Sequence, residues 1–156
     1  MFWERYGGGE PPVLFLPTWT IIHARRWKAQ IPYLAPHFCV LTFDPRGNGR
    51  SDAKTLIAST LGDLAVPATR RDQTALAGRV RCPVLVISSP NDRIHSHADA
   101  RALVRITGGE LLGVPRGGHC PQARKPVTVN LALRDFIRTS SFTADSRQLR
   151  ATSTRG

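Results

Sequence analysis

Lysine is scarce in this chain of 156 residues and occurs only at Lys28, Lys54 and Lys125. Arginine therefore carries nearly all of the formal net charge of +11. The arginines are scattered, and no basic stripe interleaved with aromatics is present. The charge reads as spread over solvated faces, and nucleic acid is not an implied partner. Cysteine is equally sparse. Cys39, Cys82 and Cys120 are odd in number, widely spaced and form no CxxC pair. This excludes a zinc cluster or a disulfide framework as the organising device. Isolated thiols suit a reducing compartment, so a cytoplasmic location is expected. No apolar run approaches bilayer-spanning length, and no basic segment followed by an apolar core opens the chain. Neither membrane association nor a signal peptide is expected. No cofactor or metal is expected either.

What the sequence does contain is organised around Val40-Leu41-Thr42-Phe43-Asp44-Pro45-Arg46-Gly47-Asn48-Gly49-Arg50-Ser51-Asp52. A short β-rich run stops at an acid, and a proline and two glycines follow. Continuous apolar runs read as buried parallel strands. Pro45, Gly47 and Gly49 end the strand and let the chain turn sharply.

The rest follows in order. Met1 to Tyr6 is strand-like and ends at Gly7-Gly8-Gly9. Val13 to Leu16 is a second strand, closed by Pro17. Trp27, Ile31 and Leu34 have helical spacing, which predicts a helix over about 24–34, ended or kinked early by Pro32. Phe38 to Phe43 is the next strand. Strand, helix, strand is a βαβ unit and implies a parallel sheet. Residues 53–81 are weakly patterned, with room for one or two short helices broken at Pro67. Cys82 to Ser89 is the clearest strand. A helix over 97–106, capped by Gly108-Gly109, follows it. Glu110 to Val114 is a last strand, and 127–137 a terminal helix. The Ser/Thr/Arg-rich stretch 139–156 reads as a disordered tail.

The loop Asp44…Arg46-Gly47…Gly49…Ser51-Asp52 resembles the loop after an early central strand of α/β-hydrolases. The order Trp27, Gln30, Leu34, then a strand ending in Asp44, is also similar to that family. So is the C-terminal half, where Asp92 follows one strand and His119 the next. The resemblance covers most of residues 3–52 and 82–138. It implies that Asp92 is the acid that fixes the tautomer of His119, and that His119 is the base. His95 and His97 are rival histidines, but they lie at a helix start rather than after a strand. Where the family usually writes His-Gly after an early strand, this chain reads Leu16-Pro17-Thr18-Trp19, as in a sub-group with a Pro-Thr-Trp loop. The resemblance implies an oxyanion-binding backbone N–H from Thr18 or Trp19.

The nucleophile is the missing part. A strained strand–turn–helix elbow needs a small-x-nucleophile-x-small sequence. Only Gly49-Arg50-Ser51-Asp52-Ala53 has that spacing, and Ser51 does not directly follow a strand. The interval in which the family carries its elbow strand and cap holds only residues 53–81. The expectation is therefore a truncated α/β-hydrolase-like fold: three layers, with a mostly parallel sheet and flanking helices. It would form a single domain over 1–138, with 53–81 as a shortened connection. Its ancestral activity would be hydrolysis of an ester-type or similar small substrate, impaired by loss of the elbow. The alternative is a non-catalytic interaction or regulatory module that meets a protein partner, or itself, through an exposed sheet edge.

Overall fold

Gly7 and Gly9 let the chain after the first strand lie against the backbone of residues 35–38. Gly7 has φ +70°, and a Cβ there would collide with the carbonyl oxygens of Ala35 and Phe38. A Cβ on Gly9 would collide with the carbonyl of His37. Without side chains, this turn lies directly on the backbone that leads into the third strand. There Cys39 N–H donates to the Gly9 carbonyl at 2.6 Å. The computed structural model describes residues 2–16, 24–44, 49–51 and 77–153, of which 24, 25 and 141–153 are described by their backbone alone. Two compact units divide the chain, Met1–Asp72 and Gln73–Gly156.

The first unit holds a three-stranded sheet of β1 (Trp3–Tyr6), β2 (Pro12–Phe15) and β3 (Cys39–Phe43), in the order β1-β3-β2. Strand β3 is central. It runs antiparallel to β1, with Tyr6 opposite Val40, and parallel to β2, with Leu14 opposite Leu41. Its inward residues are Val40 and Thr42, both buried. The parallel pairing needs a crossover. A 3-10 turn (Ala24–Trp27) and a short helix α1 (Ile31–Leu34) lie on that crossover. The helix expected over 24–34 is thus two pieces, broken at 28–30. Pro32 sits in the first turn of α1, where its missing N–H leaves no bond unmade. Trp27 stacks on Phe15, with ring centroids 4.7 Å apart. Ile31, Leu34, Phe38 and Val40 form the buried apolar core of this unit.

The second unit repeats the strand–helix–strand plan. Strands β4 (Leu85–Ser88) and β5 (Glu110–Gly113) pair in parallel, from Leu85 opposite Glu110 to Ser88 opposite Gly113. Helix α2 (His97–Thr107) connects them. Ser96 caps its start, accepting from Ala98 N–H at 3.1 Å, and Gly108 ends it in the left-handed conformation that glycine favours. A one-turn helix α3 (Pro121–Arg124) and a long helix α4 (Pro126–Ser153) follow. Helix α4 buries Val129 and Asn130. It runs through most of the stretch expected as a disordered tail. No glycine or proline interrupts 127–153, and the Ser and Thr residues there are weak helix formers rather than breakers. The fold is mixed α/β, and both crossover-linked strand pairs are parallel, as anticipated. The short helices expected within 53–76 lie outside the described residues. Among the described residues, no helix is long and apolar enough to cross a membrane.

Candidate active site

Strands β4 and β5 end side by side, and the loops that leave their C-terminal ends carry Asp92 and His119. At the end of β4, Ser89 is almost wholly buried, and its hydroxyl ties the two loops together. It lies 2.7 Å from the Val114 carbonyl and 2.6 Å from Asn91 Oδ1, and it accepts from Gly118 N–H at 3.0 Å. Gly118 N–H also reaches Asn91 Oδ1, at 3.2 Å. The next residue is His119. The loop needs its glycines. Gly118 has φ +58°, and a Cβ on Gly117 would press on Pro121 and Val114.

On the other loop, Asp92 is fixed by backbone. Its Oδ1 accepts from Ile94 N–H at 2.8 Å and His95 N–H at 3.2 Å. Its Oδ2 faces Nδ1 of His119 at 3.3 Å. The Ile94 N–H holds the Asp92 carboxyl below the usual aspartate range. Burial opposes this, and His95 N–H and His119 reinforce it. The group facing His119 is therefore a carboxylate at neutral pH. It favours the imidazole tautomer with the proton on Nδ1, which leaves the Nε2 lone pair outward. The His119 side chain is 41% accessible. Among the described residues, its only side-chain hydrogen bond is to Asp92.

The other histidines fall in different places. His95 stacks on His119, with centroids 5.2 Å apart and planes tilted by 31°. His97 Nδ1 lies 3.0 Å from Ser88 Oγ. His37 makes edge contacts with Tyr33 and Phe38 in the first unit. None of the three cysteines is in a disulfide. No cluster of His, Cys, Asp and Glu among the described residues could hold a metal ion.

Ser51, the residue with nucleophile spacing, belongs to the first unit and is built into a turn there. Its hydroxyl donates to the Asp44 carbonyl at 2.7 Å and accepts from Phe2 N–H at 2.8 Å. Arg50 N–H binds the Asp44 carboxylate at 3.0 Å. Gly49 has φ +56°, and a Cβ there would collide with the same carboxylate. The small-x-Ser-x-small spacing thus arises from a packed turn, not from an elbow that offers the hydroxyl. Thr18 and Trp19 lie outside the described residues. Asp92 and His119 stand out in the sequence, whereas the Ser89–Asn91–Gly118 network that joins their loops does not. The only trace of it in sequence is a pair of small polar residues, Ser88-Ser89, closing an apolar run.

No protein-family model and no curated protein matches the sequence. Solved structures do match. A thermophilic esterase from Thermogutta terrifontis with malate bound has 17% identity and a TM-score of 0.69, over 89% of this chain and 93% of that one. An N-acyl homoserine lactone degrading enzyme has 16% identity and a TM-score of 0.68, over 87% of this chain and 96% of that one. An enol-lactonase from Burkholderia xenovorans has 14% identity and a TM-score of 0.67, over 88% and 96%. The chain has the α/β-hydrolase fold. Its scaffold is hydrolase-like, and hydrolases are its structural neighbours.

Proposed function

We propose that the chain is a weakened hydrolase of small ester-type substrates, in which Asp92 and His119 are the surviving acid–base pair. The contact between Nδ1 of His119 and Oδ2 of Asp92, at the ends of adjacent parallel strands, carries this reading. A carboxylate on one side of the ring and an open lone pair on the other is the arrangement a general base needs. The rate is low because the sequence offers no elbow nucleophile. Loss of that group leaves turnover about 10⁴ to 10⁶-fold below that of an intact enzyme. Esterase and enol-lactonase neighbours support an ester-type or similar small substrate. The purified chain should hydrolyse p-nitrophenyl esters of short acids slowly, and His119→Ala should abolish this. Activity that survives the substitution rules out His119 as the base.

A second reading, an interaction module without chemistry, draws on the first unit. Trp3, Leu14 and Leu16 are exposed there, and among the described residues β2 pairs only with β3. Such an edge can recruit a partner strand or a second copy. Size-exclusion chromatography separates the readings. A monomer with His119-dependent turnover leaves the module reading without support, whereas a stable oligomer without turnover favours it.

A further inference from the structure

We propose that His119 acts as the nucleophile itself, taking the acyl group of an activated ester onto Nε2 and passing it to water. The inference rests on the reading of Asp92 and His119 as the hydrolytic pair, and it replaces the missing elbow with the imidazole.

In a serine-type site a hydroxyl occupies the Nε2 side of the ring, and the histidine can act only through it. Here the only side-chain hydrogen bond of His119 among the described residues is on the Nδ1 side, to Asp92. Among the described residues of the second unit, no hydroxyl or thiol engages its other nitrogen. Ser88 is committed to His97, and Ser89 to Val114 and Gly118. The ring is held without being covered. Asp92 fixes its edge and His95 lies against one face, yet 41% of the side chain stays accessible. Neutral imidazole is a competent acyl acceptor, and histidine is among the side chains that form covalent intermediates.

The chemistry balances with water as the only co-reactant. The Nε2 lone pair attacks the carbonyl carbon, and the bond to the leaving alkoxide or phenolate breaks. The Nδ1 proton, already shared with Asp92, passes toward its carboxylate as positive charge develops on the ring. Water then adds to the acyl carbon and gives one proton to solvent, the bond to Nε2 breaks, and the carboxylic acid leaves. The proton returns from Asp92 to Nδ1, and the leaving group takes its proton from solvent. The substrate class is therefore an ester with a good leaving group. An alkyl ester, whose leaving group needs a proton donor, is a poor substrate.

The test uses the full chain and p-nitrophenyl pivalate, whose hindered acyl group slows the second step so that the intermediate accumulates. Rapid acid quench and peptide mass spectrometry locate the acyl group, and the ultraviolet band of an N-acylimidazole reports it in solution. The expected result is one pivaloyl group on the peptide containing His119, discharged by hydroxylamine and absent in His119→Ala and His119→Asn. Using both variants, each checked for folding by circular dichroism, guards against a loss caused by misfolding. Asp92→Asn should slow acylation by about 10²-fold without moving the adduct. Release of p-nitrophenol that needs His119 but leaves no acyl group on it overturns the nucleophile assignment and leaves His119 as a general base for water. An adduct on serine or cysteine overturns it as well. No release above buffer removes both this inference and the hydrolytic reading.

Discussion

The hydroxyl of Ser89 accepts the N–H of Gly118 at 3.0 Å, joining residues 29 apart in the chain. It joins the two loops that carry Asp92 and His119. It is buried and shielded, whereas the contact it supports is half open to solvent. The same hydroxyl bonds the Val114 carbonyl, and a hydrogen bond of this kind contributes about 0.5–1.5 kcal/mol. Ser89→Ala should therefore destabilise the chain by about 1–3 kcal/mol. The measurement is urea unfolding followed by circular dichroism. An unchanged midpoint would mean that the loops are held by other contacts.

Ser51 makes the opposite kind of prediction. Its two hydrogen bonds tie it to Asp44 and Phe2, so Ser51→Ala should cost about 1–2 kcal/mol of stability. Gly49→Ala should cost more than about 1 kcal/mol, because it adds left-handed strain and a clash with the Asp44 carboxylate. Ester hydrolysis per folded molecule should be unaffected by Ser51→Ala. Loss of turnover at normal stability would restore Ser51 as a nucleophile.

The core of the first unit should be sensitive to volume. Leu34 is fully buried on a one-turn helix that has little stability of its own. Leu34→Ala should remove about 2–5 kcal/mol, seen as a large drop in denaturation midpoint. A small change would mean that α1 is not packed as described.

Acid should weaken the second unit through Asp92. Its carboxyl sits below the ordinary aspartate value of 3.8, first because of the Ile94 N–H. The folded chain therefore takes up this proton less readily than the unfolded chain. The resulting stability is complete above the unfolded value and is lost as pH falls through the lower folded one. Stability measured from about pH 6 down to pH 2 should fall less steeply in Asp92→Asn than in the wild-type chain. Equal slopes would show that the carboxylate has no such linkage.

Much of this was legible in sequence because parallel strands announce themselves. Val40 to Phe43 and Leu85 to Ser88 are short apolar runs ended by polar residues, and each pairs in parallel with its crossover neighbour. Gly117 and Gly118 precede His119 in the sequence, and Gly118 takes φ +58° in the loop that carries it. Less was legible where two signals conflict. Trp27, Ile31 and Leu34 share a helical face, but the chain breaks between Trp27 and Ile31, and Pro32 starts a helix instead of stopping one. The tail 139–153 has a disorder-like composition, yet nothing in it stops a helix already begun at Pro126. The Ser51 spacing could not reveal where its hydroxyl points. Local pattern describes chain geometry, while the partners Phe2 and Asp44 are supplied by tertiary structure.

Hydrolysis by this pair depends on the tautomer of one imidazole, and nitrogen-15 NMR of histidine side chains measures that directly. At a pH where His119 is neutral, its spectrum should show the proton on Nδ1, and Asp92→Asn should shift the balance toward Nε2. A wild-type ring protonated on Nε2, with no response to the substitution at Asp92, would contradict the assignment of this pair as the working centre of the chain.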